Sequence, residues 1–488
     1  MHILLATIVP ILLMIFIFKV NRKEIYKLKR NLEFAFSLPG ASILSSFVNS
    51  LQIACNYKDL LNYVDSITKK YGNLTHFIFG TDVFVVLAKP EDYKCVLANK
   101  NGNYKSSVTK TWEMLLGDGI LRTSGAAHRL RRKIIQPLLN LKHLSEYVTF
   151  FDTYSNLCVS SIEKNVDGPM FELKPYMVRY TFDIFLVTMM GIQRSEHKRE
   201  DDELLYWHEK LVKDALYSRT IKPWWLQLEW ILPLTENRKQ LRIARENILD
   251  FIYNITRKAI SHTALQDNNE ISQRPKPIFT NYWNRVEELR NNVRSKSCEI
   301  QHNVTEATTF IILMLAMHTE VQEKLREEIS VTFNNNKVDA QHLLSMRYFH
   351  MVYQETLRLF PIVPIISRQL IGDIKLESCT LPDGCYVMIP IFAIHRNPAY
   401  WYKPLEFIPE RFSPENSSSR LRYAYIPFGA GHRDCLGQKY AFLSAATIIV
   451  NLLRRFRFAT TVSNVNDVEI TNDIVLRTRN ARVSISRI

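Results

Sequence analysis

Apolar and polar residues alternate along this chain in a changing rhythm. That rhythm predicts where the chain is embedded, where it is helical and where it is extended. Ile3 to Phe18 is an unbroken apolar run. With Val20 counted and Lys19 reaching back to the interface, the run attains the lower bound of about 17 residues for a helix crossing a bilayer core. Lys19, Arg22, Lys23, Lys27, Lys29 and Arg30 follow the run rather than precede it. A cleaved signal peptide has the opposite order, and a small-residue cleavage site follows it. Residues 1–20 are therefore read as an uncleaved transmembrane helix that keeps the rest of the chain on the cytosolic side. The basic linker 21–40 ends in Leu38-Pro39-Gly40, a hinge into residues 41–488.

Beyond the hinge, helical spacing covers Leu60–Lys70. Thr75–Ala88 predicts two short strands around Gly80-Thr81-Asp82, and Pro90–Ala98 returns to helix. Helix dominates from there to about residue 370. Strand patterns reappear at Ser378–Ile391, Val468–Ile474 and Ala481–Ile488. The predicted fold is mainly α with small β-sheets near both ends. The tryptophan-rich stretch Pro223–Pro233 reads equally as core or as an apolar patch resting on a membrane. Residues 264–302 are polar without clean periodicity and read as a loop.

The length of 488 residues allows one large domain or several smaller ones. A net charge of +15 suits anionic lipid, an acidic protein partner or nucleic acid. No basic run is interleaved with aromatics and no zinc-finger or RNA-binding signature occurs, which argues against nucleic acid. Cys55, Cys95, Cys158, Cys298, Cys379, Cys385 and Cys435 are scattered, odd in number and never paired as Cys-x-x-Cys. That pattern speaks against a disulfide framework or a structural zinc site and suits a reducing compartment.

Cys435 alone has a distinctive setting. A free cysteine is usually a small buried hydrophobe. Here Gly429, Gly431 and Gly437 let the backbone turn tightly and approach a flat ligand. Arg433 offers a fixed positive charge for a carboxylate. The apolar run from Tyr440 to Val450 predicts a buried helix starting just past the cysteine, whose N-terminus would lower the thiol pKa. On residue types alone, a thiolate metal site and a buried structural cysteine both stand.

The segment Phe428-x-x-Gly431-x-Arg433-x-Cys435-x-Gly437 resembles the haem-binding signature of the cytochrome P450 family. Glu355-Thr-Leu-Arg358 resembles that family's Glu-x-x-Arg pair, and Pro409-Glu-Arg411-Phe412 its Pro-Glu-Arg-Phe segment. His395-Arg396-Asn397-Pro398 and Leu313–Glu328 match as well, in the same order and spacing. The similarity runs from about residue 35 to the end and is closest to the fatty-acid-hydroxylating family 4, in an insect-like form. It implies a cytochrome P450 fold over residues 41–488, with Cys435 as thiolate ligand to the iron of haem b. Glu355, Arg358 and Arg411 would form a buried fold-locking cluster behind the haem. Arg132, Arg368 and Arg433 would reach haem propionates. The implied activity is insertion of one oxygen atom from O2 into a small lipophilic substrate: a fatty acid, hormone or foreign compound. Electrons would come from NADPH through NADPH-cytochrome reductase, with cytochrome b5 as a second donor. The basic helix at Arg129–Lys133 would belong to the docking face, and the enzyme would sit on the cytosolic face of the endoplasmic reticulum membrane.

The sequence departs from the family pattern in two places. His128 stands where a tryptophan is usual, and it still has a nitrogen to offer a propionate. The central helix, drawn from Glu299 to Met317 and about 28 Å long, lacks the usual glycine-acid-threonine motif over the iron. Counting back without gaps from His318 puts Asn303-Val304 at the threonine pair. The nearest substitute is Thr305-Glu306-Ala307-Thr308-Thr309, which makes Glu306 and Thr308 the expected oxygen-side pair. A substituted or deleted turn there implies, as the alternative, a protein that binds haem but activates oxygen poorly, or a non-functional isoform.

Overall fold

A computed structural model describes residues 22–49, 60–79, 82–106, 119–191 and 299–488, less single positions within them, together with a few isolated residues between 109 and 278. The apolar run at residues 3–18, the Trp-rich stretch at 223–233 and most of the segment 264–302 lie outside the described residues. Among the described residues no single helix is long and apolar enough to cross a membrane.

The basic linker is itself a helix, α1 (Arg22–Ser37). It is followed by α2 (Leu60–Tyr71), β1 (Leu74–Phe79), β2 (Asp82–Leu87) and α3 (Pro90–Ala98). Expected strands and helices in this stretch appear within a residue or two of their predicted ends. α1 docks rather than dangles: Arg30 forms two bonds to Asp373 at 3.0 and 2.7 Å, and Lys27 reaches Asp383 at 2.7 Å. The hinge is seated too, because Gly40 bridges to His76 and a Cβ there would come within 2.4 Å of the His76 ring.

Next come α4 (Gly125–Ile135), α5 (Leu141–Ile162), the two-residue β3 (Phe171–Glu172) and α6 (Lys174–Phe185). The central helix α7 covers Glu299–Met317, as drawn from sequence, and α8 spans Thr319–Phe333. α9 (Arg347–Leu359) carries the Glu-x-x-Arg pair. Small strands follow: β4 (Ile366–Gln369), β5 (Ile374–Lys375), β6 (Thr380–Leu381) and β7 (Tyr386–Ile389). The last long helix is α10 (Gln438–Leu453), before β8 (Phe456–Ala459), β9 (Ile470–Asn472), β10 (Leu476–Thr478) and β11 (Arg482–Arg487). One sheet runs β1-β2-β7-β4, with only the β2–β7 pair parallel. Another runs β3-β11-β8 and draws residue 171 to the C-terminal end of the chain.

The core is a bundle of α5, α6, α7 and α10. α7 from Val304 to Ala316 and α10 from Phe442 to Leu453 are buried on every side. A helix apolar all round is stable only inside protein or lipid, and here neighbouring helices enclose it. The few polar groups inside are paired across the bundle: Tyr180 Oη donates to Ser444 O at 2.8 Å, and Asn451 Nδ2 to Asp152 Oδ1 at 2.7 Å.

α9 has no cap of its own. Instead Glu328 of α8 accepts from the Tyr348 and Phe349 amides at 2.7 and 2.9 Å, satisfying two of the open donors at the helix start. Glu328→Ala should therefore cost about 1–2 kcal/mol, as loss of a cap does. Urea unfolding measures it, and an unchanged midpoint would mean that the cap carries no load.

Candidate functional site

Two structures meet at the site: a buried ionic cluster on α9 and the loop that carries Cys435. In the cluster, Glu355 and Arg358 lie one turn apart on one face of α9 and are fully buried. Arg358 Nε and Nη2 bond the two Glu355 oxygens at 2.7 and 2.9 Å. Its remaining donors go to His395 O at 2.8 Å, Pro404 O at 2.7 Å and Glu406 O at 3.1 Å. All five guanidinium N–H groups are thus used. Glu355 Oε1 also accepts from the Ile408 amide at 2.9 Å and Arg411 Nε at 3.2 Å. Arg411 continues to the Tyr402 and Lys403 carbonyls. One carboxylate and two arginines thereby hold residues 395–411, the irregular chain leading to the Cys435 loop. His395 is buried beside Arg358, and its Nε2 accepts the Ile426 amide at 3.0 Å. Burial, with Arg358 adding to it, pushes its pKa down to about 3.

The loop itself closes when the Cys435 amide donates to Phe428 O at 3.0 Å. Gly431 has φ +74, and a Cβ there would sit 2.0 Å from Leu97 O of α3, so only glycine lets the loop rest on that helix. Gly429 has φ +70 and open space around its absent side chain. Gly437 is different: its φ is −86, and it caps α10. Cys435 keeps accessible surface, yet burial is the largest influence on its thiol. It therefore lines a recess rather than a convex face. Burial raises its pKa; the Gly437 amide and Arg132 pull it down, and Asp434 pushes it up. The helix N-terminus lowers the thiol pKa as expected, through the Gly437 amide, but desolvation outweighs it.

Cations gather around this recess. Arg132 of α4 donates to His432 O and Asp434 O at 3.0 Å each and pairs with the Asp434 carboxylate. Arg433 donates to Asn103 O at 3.1 Å, Ile120 O at 3.3 Å and Ser124 Oγ at 3.4 Å, and so laces the loop to the chain before α4. Both residues were expected to meet a haem carboxylate; here Arg433 spends its donors on three backbone carbonyls and Ser124, and Arg132 divides its own among two carbonyls, Gln136 and Asp434. Arg368 of β4 is only 3% exposed, and its Nη1 bonds Ser367 O at 2.8 Å. Its Nε has no hydrogen-bond partner. His128 is buried, and its pKa is down to about 3, first by desolvation and then by Arg433, Arg132, Lys105 and Arg368.

The structure commits Glu306 elsewhere than the sequence suggested. It is fully buried and pairs with Lys174 of α6 at 2.7 Å, with Arg477 of β10 at 3.8 Å. The adjoining Thr305 shares a 2.5 Å hydrogen bond with Thr181, also of α6. Thr308 Oγ1 turns back to Val304 O at 2.8 Å. At about 100° per residue, Glu306 and Thr308 point to opposite sides of α7. The expected acid–threonine pair therefore does not converge on one ligand, and Glu306 belongs to the side packed on α6. No local signal in the sequence marks Lys174 or Arg477 as its partners.

Removing one member of the buried α9 cluster strands the other. Glu355→Ala should cost about 3–5 kcal/mol and cut the yield of folded protein, a loss read by denaturation of what folds. The pH dependence has a definite sign. Below about pH 6.5 the unfolded chain protonates His128, whereas the folded chain resists until about pH 3. Stability should fall as pH drops through that window, by up to about 1.4 kcal/mol per pH unit for this residue. In metal-free protein His128→Asn should flatten the slope by one proton, and an unaltered slope in urea titrations would contradict the assignment.

Comparison with known proteins finds relatives along nearly the whole chain. The family model described as Cytochrome P450 matches residues 38–485. The chain is 27% identical to cytochrome P450 4c3 of Drosophila melanogaster, over 97% of this chain and 93% of that protein. It is 28% identical to cytochrome P450 4V2 of Mus musculus, over 91% and 94%. With cytochrome P450 4c21 of Blattella germanica the identity is 29%, over 87% and 88%.

Proposed function

Because the chain belongs to the cytochrome P450 family, we propose that it is a membrane-anchored haem-thiolate monooxygenase acting on a small lipophilic substrate. Members of the family bind haem b and are monooxygenase oxidoreductases, and the relatives carry family-4 names. A fatty acid, hormone or foreign compound fits the substrate class.

The observation that carries the reading is a surplus of buried positive charge beside one cysteine. Arg368 is buried with an unpartnered Nε, and Arg433, Arg132 and His128 crowd the same recess. Arg132 finds a carboxylate in Asp434, while no ion pair joins Arg368 or Arg433 to an acid among the described residues. Isolated buried charge is costly, and two carboxylates on the edge of a flat ligand would relieve it. The residues therefore fit iron protoporphyrin: Cys435 to hold the metal, Arg368 and Arg433 with His128 and Arg132 to hold the propionates. When bound, that group supplies the oxygen chemistry, made more reactive by an anionic sulfur ligand.

The chain's own residues do the rest. The Gly437 amide steadies the sulfur. The Glu355–Arg358–Arg411 cluster keeps the loop at a fixed distance from α9. Arg129, Lys133, His432 and Lys439 are exposed on the side where α4 meets the Cys435 loop and offer a basic docking face. An acidic donor such as NADPH-cytochrome reductase, or cytochrome b5, would meet it there. The apolar residues 1–20 would anchor the chain to the endoplasmic reticulum membrane, with the catalytic domain on the cytosolic face.

Glu306 favours a second reading, a protein that binds haem but couples electrons to product poorly. With that acid held by Lys174, it cannot carry protons to the oxygen side. The two readings separate on one assay: NADPH consumption with reductase, measured against hydroxylated product and hydrogen peroxide. Coupled product supports the monooxygenase, peroxide alone the impaired form, and no haem uptake defeats both.

Two variants test the assignments. Arg368→Met should weaken haem retention at least tenfold in a dissociation assay while the metal-free protein becomes no less stable, since a buried unpaired charge has gone. Lys174→Met should destabilise the fold by about 3–5 kcal/mol, because it leaves the Glu306 carboxylate short of its nearest cation. If instead Lys174→Met folds normally and only turnover changes, Glu306 works on the oxygen side after all.

A further inference from the structure

The helix α1 has two working faces, and the fold uses only one of them. At about 100° per residue, Lys27, Arg30, Asn31 and Phe34 share one side of the helix. That side is docked. Arg30 bonds both oxygens of Asp373, just before β5, at 3.0 and 2.7 Å, and Lys27 pairs with Asp383, just after β6, at 2.7 Å. The two acids are braced against each other, since the Asp383 amide donates to Asp373 Oδ1 at 2.8 Å. Phe34 and Leu38 pack on the apolar cluster that includes Leu87 and Val387. Rolling α1 about its axis would break both ion pairs.

The opposite side carries Ile25, Leu28, Leu32 and Phe36, at i, i+3, i+7 and i+11. These four fall within a stripe about 80° wide. A stripe of that spacing normally faces a core. This one faces outward: Ile25 is 41% exposed, Leu28 57% and Phe36 38%. Tyr26 and Lys29 flank the stripe and are exposed too.

Chain length decides what meets the stripe. Phe18 ends the apolar run, and α1 starts four residues later at Arg22. Four residues span at most about 14 Å, and a headgroup layer is about 5–8 Å deep. With the run in the bilayer, α1 therefore begins at the membrane surface. Five cations among its first nine residues keep it out of the hydrocarbon. An outward apolar stripe flanked by lysine and tyrosine suits a helix lying in the interface of an anionic bilayer.

We propose that α1 lies along the surface of an anionic bilayer, with the Ile25–Leu28–Leu32–Phe36 stripe at the boundary between headgroups and acyl chains. This rests on the reading of residues 1–20 as an anchor. Because the other side of α1 is pinned to Asp373 and Asp383, the stripe also sets which side of the domain faces the membrane. The anchor attaches the chain, and α1 orients it.

The test uses full-length protein in vesicles of phosphatidylcholine, with and without phosphatidylserine. The photo-crosslinker p-benzoylphenylalanine is placed at position 28, at position 36 or, as a control, at position 331, where Val331 is exposed on α8. Mass spectrometry should find lipid adducts at 28 and 36 at least about fivefold above those at 331. Phosphatidylserine should raise the yield at 28 at least about twofold. Ile25→Ser combined with Leu28→Ser should lower the yield at 36 and leave the thermal midpoint in detergent unchanged. Adducts at 28 to a second copy or to another protein overturn the proposal, as does a lipid yield no higher than at 331 or indifferent to phosphatidylserine. A midpoint lowered by the serine variant would also overturn it, because the stripe would then pack inside the protein. Failure of the parent protein to float with the vesicles overturns the anchor reading, and this proposal with it.

Discussion

One buried carboxylate sets the terms for the rest of the molecule. Glu355 has no exposed surface, and it binds Arg358, Arg411 and the Ile408 amide together. Ion pairs of this kind are costly to desolvate and stabilise little relative to a well-packed apolar core. In this arrangement all five Arg358 donors are met, and three of them hold the carbonyls of His395, Pro404 and Glu406 in place. The Cys435 loop is then placed by Ile426 on His395 and by Tyr425 on Gln354. Placement of the Cys435 loop thus depends on a cluster of which Cys435 is not a member.

Charge on the recess side follows the opposite logic. Beside Glu355 all five Arg358 donors are matched; around Cys435 positive charge is left over. Arg433 stitches the loop to residues 103–124 and Arg132 ties it to α4, which fixes the wall of the recess; Arg132 is paired with Asp434, while Arg433 meets no acid among the described residues. A site so prepared is pre-organised for an anionic edge. It is also unstable to acid, because His128 resists protonation among those cations.

How much of this was legible depended on range. The pairing of Glu355 with Arg358 could be read directly, since residues three apart share a helix face. The buried helix after Cys435 and the hairpin of β1 and β2 followed from periodicity. What the arginines hold could not be read that way, because hydrogen bonds to carbonyls far along the chain leave no local pattern. Glu306 shows the limit most clearly. Its place beside two threonines suggested the oxygen side, whereas the rotation of α7 is set by Lys174, Thr181 and Arg477 on other elements. A tight turn at Gly431 is expected from sequence, but its left-handed backbone and the contact with Leu97 O that demands glycine were visible only once α3 was in place.

The central claim is that this loop presents Cys435 as a thiolate to haem iron. The reduced, carbon-monoxide-bound absorption spectrum of the purified protein tests it most directly, read beside Cys435→Ala. The account predicts a Soret band at the red-shifted thiolate position in the parent protein and its loss in the variant. A parent spectrum at the position of an imidazole-ligated or uncoordinated haem, or one that Cys435→Ala leaves unchanged, would contradict it.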